Sequence, residues 1–296
     1  VTTERLTVAK AIPTLPRVFL GAALRQLRAD ANKSLDDCAR AVGKDRPRIV
    51  KVFDGNSSLS TEELEALVDF LGAEPDRRRE ILRLGIDARK RSSRSPYTDL
   101  APGSFQRLAL LEALASDIWD YERGVFPACL QSPEYIEALM DASDGIWWDS
   151  SEVERSKRVA FRTERQRTVF DPDRPKQIDV FFSDDTLVAE VGSPTVMRRQ
   201  LQHVLDLIDQ NRHLTVQIVP NSGRDNPVQQ GGLVIYRFGD SLRPVGFLSV
   251  PYGPSTYFDD AIDTERMTRA FNKIRELAYT PERTRDIIRV KLEETT

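Results

Sequence analysis

Four cations crowd one short segment, KDRPRIVK: Lys44, Arg46, Arg48 and Lys51. Ile49, Val52 and Phe53 recur there at i, i+3 and i+4, the spacing of a buried helical stripe. With that stripe turned inward, a rotation of about 100° per residue carries Pro47, Val50, Lys51 and Asp54 outward, puts Arg48 on the flank and leaves Arg46 at the N-terminal tip. A helix of this kind brings ammonium and guanidinium groups to phosphate. Acid–base chemistry is scarcer. Histidine is the side chain whose unperturbed pKa lies near neutrality, and the two present, His203 and His213, stand on an amphipathic helical segment and in a polar turn, places that suit structural roles. QQGG at 229–232 introduces a strand and opens no helix, and no GxSxG or HExxH pattern occurs, so no enzyme is expected. Cys38 and Cys129 stand far apart without CxxC spacing, so neither a disulfide framework nor a zinc site is expected, and no cofactor is expected. Trp147, Trp148, Tyr252, Tyr257 and Phe258 are the aromatic candidates for a ligand or partner pocket.

The elements that must position the cations are helical. Phe19, Leu20, Ala23, Leu24 and Leu27 form one stripe. Ser34 is a helix N-cap with Asp37 three residues on, and Gly43 ends that helix because it takes positive φ without penalty. Asp45 caps the next helix, Pro47 fits its first turn and Gly55 closes it. Ser60 with Glu63 forms a capping box, Leu59 with Leu64 a hydrophobic staple, and a further helix at 76–88 leads into the basic tail ARKRSSR. Two short helices joined by a glycine turn inside a five-helix bundle read as a helix-turn-helix, whose second helix enters the major groove. Residues 1–95 hold 19 Lys and Arg against 14 Asp and Glu, whereas the rest hold 24 against 32. The first part can approach phosphate; the second is repelled by it.

Residues 91–104, rich in Ser and Pro, read as a linker between a 1–90 DNA-binding domain and a 105–296 regulatory or partner-binding domain. In the larger part 105–115 is helical, and IWDYE (118–122) alternates like a half-buried strand. Ser132 and Pro133 open a helix, and Ser151 with Glu154 forms a capping box before VERSKRVAFRTERQRTVF. Val153, Ala160 and Phe161 supply the buried side of that helix, with Glu and Arg interleaved as a salt-bridged surface. IDVFF, LTVQIVP, GLVIYRF and PVGFLSV are strand runs bounded by turn residues. The fold class is α+β: an all-α five-helix domain, then a mixed, mostly antiparallel sheet of four or five strands covered by helices.

Residues 17–75, including LGAALRQLRADANKSLDDCARAVGKDRPRIVKVFDG, resemble the Xre-type helix-turn-helix repressors. Three positions depart from that pattern: Leu35 replaces a Gln that contacts nucleic acid, Val50 a polar residue, and Phe53 a frequent Glu. VFPACLQSPEYIEALM, VERSKRVAFRTERQRTVF, VGSPTVMRRQLQHVLDL with LTVQIVP, and FNKIRELAYTPERTRDII resemble the C-terminal domain of actinobacterial WhiJ-like, or antitoxin-like, regulators. Here Cys129 replaces a small or aliphatic residue, and Asn226 stands where His often precedes the proline. The resemblance implies a DNA-binding regulator in development or secondary metabolism, often encoded beside a small partner protein.

With 296 residues, 40% hydrophobic and 30% charged, the chain has the composition of a two-domain globular protein. No apolar run spans a bilayer and no signal-peptide core is present, so a cytoplasmic protein is expected, with no membrane partner. Expected partners are double-stranded DNA, a small-molecule effector or small protein, and a second copy in a homodimer. The competing readings are an antitoxin-like module that sequesters a partner, favoured by Leu35 and Val50, and an enzyme.

Overall fold

In the computed structural model, which describes residues 13–90, 97–98, 106–146, 151–221, 225–248 and 256–295, helix α1 (Leu15–Asp30) starts with Pro16 in its first turn. It buries Phe19, Leu20, Leu24 and Leu27. Helix α2 (Leu35–Ala41) is capped reciprocally: the Asp37 amide donates to Ser34 Oγ at 3.1 Å and the Ser34 amide to Asp37 Oδ2 at 3.0 Å. Gly43, at φ +64°, takes the left-handed turn into α3 (Arg46–Phe53), where Asp45 Oδ1 accepts from the Arg48 amide at 2.8 Å. Helices α4 (Thr61–Phe70) and α5 (Pro75–Arg89) complete the bundle, with the expected Ser60–Glu63 box in place. Ile49, Val52 and Phe53 are all buried. Gly21 lets α1 and α3 approach closely, since a Cβ there would stand 2.4 Å from the Phe53 carbonyl oxygen.

The chain divides into two compact units, 1–94 with 239–243 and 95–238 with 244–296. The larger unit runs β1 (Tyr97–Thr98), α6 (Gln106–Leu114), β2 (Asp117–Glu122), α7 (Pro133–Asp141), α8 (Glu152–Val169), β3 (Gln177–Ser183), α9 (Pro194–Gln210) and β4 (Leu214–Val219). It continues through β5 (Leu233–Arg237), β6 (Val245–Leu248), β7 (Thr256–Phe258), α10 (Ala261–Leu277) and α11 (Pro281–Glu294). The strands form one sheet in the order β1-β7-β6-β5-β2-β3-β4. The β2–β3 and β3–β4 pairings are parallel, reached through helical crossovers, and the others are antiparallel. The α+β class therefore holds, with a mixed, mostly antiparallel sheet. That sheet is larger than the sequence suggests, because β1 and β7, of two and three residues, are too short to show a period. Tyr97 and Thr98 fall within the stretch read as linker, yet they pair with Tyr257 and Thr256.

Strand β2 sorts its side chains by parity. Trp119 and Tyr121 pack with Phe271 and Ile274 of α10, while Ile118, Asp120 and Glu122 face the other side, toward α8. Helix α8 corrects the sequence reading. Val153 is 64% exposed, Ala160 is exposed and Phe161 only half-buried, while Arg162, Arg165 and Val169 line the interior. An apolar-stripe search cannot find this face, because its inward positions are arginines held by acceptors on other elements.

Candidate nucleic-acid interface and interior cavity

On α3 the positions predicted outward, Arg46, Pro47, Arg48, Lys51 and Asp54, are exposed, and Val50 is half-buried. The cations differ in their local ties. Lys44 Nζ lies 2.7 Å from Glu63 Oε1, Arg46 Nε lies 3.7 Å from Asp36 Oδ1, and Arg48 Nη2 donates to the Ser58 carbonyl at 2.9 Å. Lys51 makes no ion pair among the described residues. Exposed pairs of this type contribute about 0–1 kcal/mol, so a phosphate can displace them at little cost. In the basic tail, Arg89 Nη1 donates to the Leu59 carbonyl at 3.3 Å and Lys90 pairs with Asp87 at 2.8 Å; Arg91 and Arg94 lie outside the described residues.

Of the five aromatic candidates, Tyr257 and Phe258 lie among the described residues. Trp147, Trp148 and Tyr252 lie outside the described residues. Tyr257 is fully buried in the sheet, its ring 5.1 Å from that of Phe247, and so belongs to the core; Phe258 is half-buried on the same strand. His203 is half-buried, and burial pushes its imidazole below the usual range. His213 Nε2 accepts from Arg212 Nε at 3.1 Å. Cys38 and Cys129 are both buried, and burial pushes both thiols up.

The larger unit instead holds a cavity of about 300 Å³. Its polar wall is built from Glu112 of α6, Asp120 and Glu122 of β2, Arg162 and Arg165 of α8, and Tyr236 of β5. Arg165 grips Glu112 with two hydrogen bonds, Nε to Oε2 at 2.8 Å and Nη2 to Oε1 at 2.6 Å, with both side chains about nine-tenths buried. Burial lowers the Arg165 pKa, but the Glu112 charge, the hydrogen bonds to Glu112 and the nearby Tyr236 and Tyr257 together outweigh it, and the net shift is upward. Arg162 Nη1 donates to Gln131 Oε1 at 3.0 Å; burial, with Arg165 and Arg158 nearby, brings its pKa down to about 10. Asp120 is 7% exposed and its Oδ1 has no hydrogen-bond partner among the described residues. Burial, then the Glu122 and Glu112 charges, holds its carboxyl well above the usual range. Burial raises Glu122 to about 7. Its carboxylate occupies the space beside Gly232, where a Cβ would lie 2.2 Å from Oε1. In the sequence Asp120 and Glu122 belong to IWDYE, which alternates like a half-buried strand. The sequence signal that could have placed them inside is on α8, a long helix with too few apolar residues for a stripe of its own.

These features define a helix-turn-helix protein with an appended α+β domain. A helix-turn-helix domain model matches residues 20–81, and the motif makes the chain a DNA-binding regulator. A second model, the domain of unknown function DUF5753, matches residues 105–290, more than half of the sequence, and the chain belongs to that family. No curated protein and no solved structure matches the chain. Among the described residues no helix is long and apolar enough to cross a membrane.

Proposed function

We propose that the chain is a transcription regulator whose larger domain receives a small-molecule or protein signal and changes the affinity of the helix-turn-helix for DNA. The observation that carries this reading is the exposed cationic face of α3, held outward by a fully buried Ile49–Val52–Phe53 stripe. The resemblance to WhiJ-like regulators supports a role in development or secondary metabolism, with a small neighbour-encoded protein as one source of the signal. A signal acts on DNA binding only through different affinities for the free and DNA-competent states. The test is binding to fragments from the gene's own upstream region across a salt series. Replacing Arg48 and Lys51 together by Ala should flatten the log–log salt dependence by about one unit per lost phosphate contact. An unchanged slope and affinity in the folded double variant refutes the assignment.

A homodimer accompanies this reading, because one short recognition helix reads few base pairs and paired half-sites about 34 Å apart extend the readout. Light scattering should give twice the chain mass on a specific fragment; a monomer there overturns it. The sequestering module stays the second reading, on Leu35 and Val50, both half-buried where repressors of this type present polar side chains. It predicts partner binding without any salt-dependent DNA affinity.

A further inference from the structure

The interior cavity contains more acceptor chemistry than the protein itself satisfies. Its two guanidinium groups are engaged, Arg165 by Glu112 and Arg162 by Gln131. Asp120 Oδ1 has no partner among the described residues, although the side chain is more than nine-tenths buried and lines the cavity. A buried acceptor left in this state costs about 1–3 kcal/mol, more if charged. Glu122 stands two residues along the same strand face, and Gly232 leaves room for its carboxylate. Around the carboxylates the wall is apolar, with Leu108, Phe126, Met140, Val234 and Phe247. Among the described residues no three His, Cys, Asp or Glu are arranged to hold a metal ion, so a metal does not supply the missing donor.

We propose that this cavity is a binding site for a small organic amine, its ammonium group bonded to Asp120 and Glu122 and its apolar body packed against Phe126 and Phe247. The volume, about 300 Å³, is at the lower end of ligand pockets and suits a single aromatic or aliphatic amine. Anions are disfavoured because three carboxylates, Glu112, Asp120 and Glu122, share the cavity with two arginines that already have acceptors. The inference rests on the reading that the larger domain receives the signal, and it names the chemical class of that signal.

The test uses the full chain and three probes of one shape: phenethylamine, phenethyl alcohol and hydrocinnamate. Calorimetry without DNA should give saturable binding of phenethylamine only. Asp120→Asn keeps the shape, removes the charge and should weaken that binding about tenfold, corresponding to about 1.4 kcal/mol. Gly232→Ala, which pushes the Glu122 carboxylate aside, should weaken binding as a second and independent change. Preference for hydrocinnamate, no binding of any probe, or full phenethylamine affinity in Asp120→Asn would each overturn the proposal. Binding of phenethylamine without any change in DNA affinity would uphold the site and refute the regulatory reading.

Discussion

Replacing Arg165 by Met should destabilise the larger unit by about 3–5 kcal/mol, the cost of leaving one member of a buried ion pair without the other. The Glu112 carboxylate would lose both hydrogen bonds while staying 7% exposed, with Asp120 and Glu122 beside it in the same cavity. Removing both charges, as Arg165→Met with Glu112→Leu, should restore most of the loss, because apolar replacement of a whole buried pair is often neutral or stabilising. Urea unfolding followed by tryptophan fluorescence isolates the effect, since Trp119, Trp147 and Trp148, the only tryptophans, all belong to the larger unit. A loss below about 1 kcal/mol in the single variant, or a double variant no more stable than the single, would mean that the pair is solvated in solution.

The contrast between the two units explains what the sequence could reveal. In the helix-turn-helix every local signal agrees with the tertiary one. Ser34, Asp45 and Ser60 cap the helices they precede, Gly43 turns with positive φ, and Ile49, Val52 and Phe53 face the core. The cations of α3 were legible for the same reason, as the complement of an apolar stripe. In the larger unit the strands were legible and their surroundings were not. The alternation in IWDYE fixes which side chains share a face, but it cannot say what covers that face. Asp120 and Glu122 are covered by α8, whose inward Arg162 and Arg165 look on a helical wheel like a solvated surface. Polar groups that satisfy each other across distant segments leave no period in either one. Tyr257 fails in the opposite way: an aromatic near the end of a strand suits a pocket as well as a core, and here packing against Phe247 claims it.

The same burial predicts an unusual pH profile. Burial raises the Glu122 carboxyl to about 7, while in the unfolded chain it titrates near 4.3. The folded state therefore holds the proton more tightly than the unfolded state. The stability linked to this proton is fully present below about pH 4 and is lost as pH rises through 7, by about 4 kcal/mol in all. Asp120, also raised by burial, adds to the loss with the same sign. The other groups facing Glu122 are Glu112 from α6, Arg162 and Arg165 from α8, and Tyr236 from β5, with Cys129 on the turn before α7. The thiol and the phenol, both pushed up by burial, stay neutral over this range. Glu122→Gln removes the titration and keeps the shape. Near pH 4 it should match the parent chain, and by pH 8 it should be more stable by up to about 4 kcal/mol. Denaturant midpoints read from tryptophan fluorescence at several pH values decide this, and parallel profiles for the two proteins would show that Glu122 ionises in the fold as easily as in water. A bound amine acts on the same balance. By adding positive charge beside Asp120 and Glu122, it should stabilise the parent chain more at pH 8 than at pH 5, with a smaller pH dependence in Glu122→Gln.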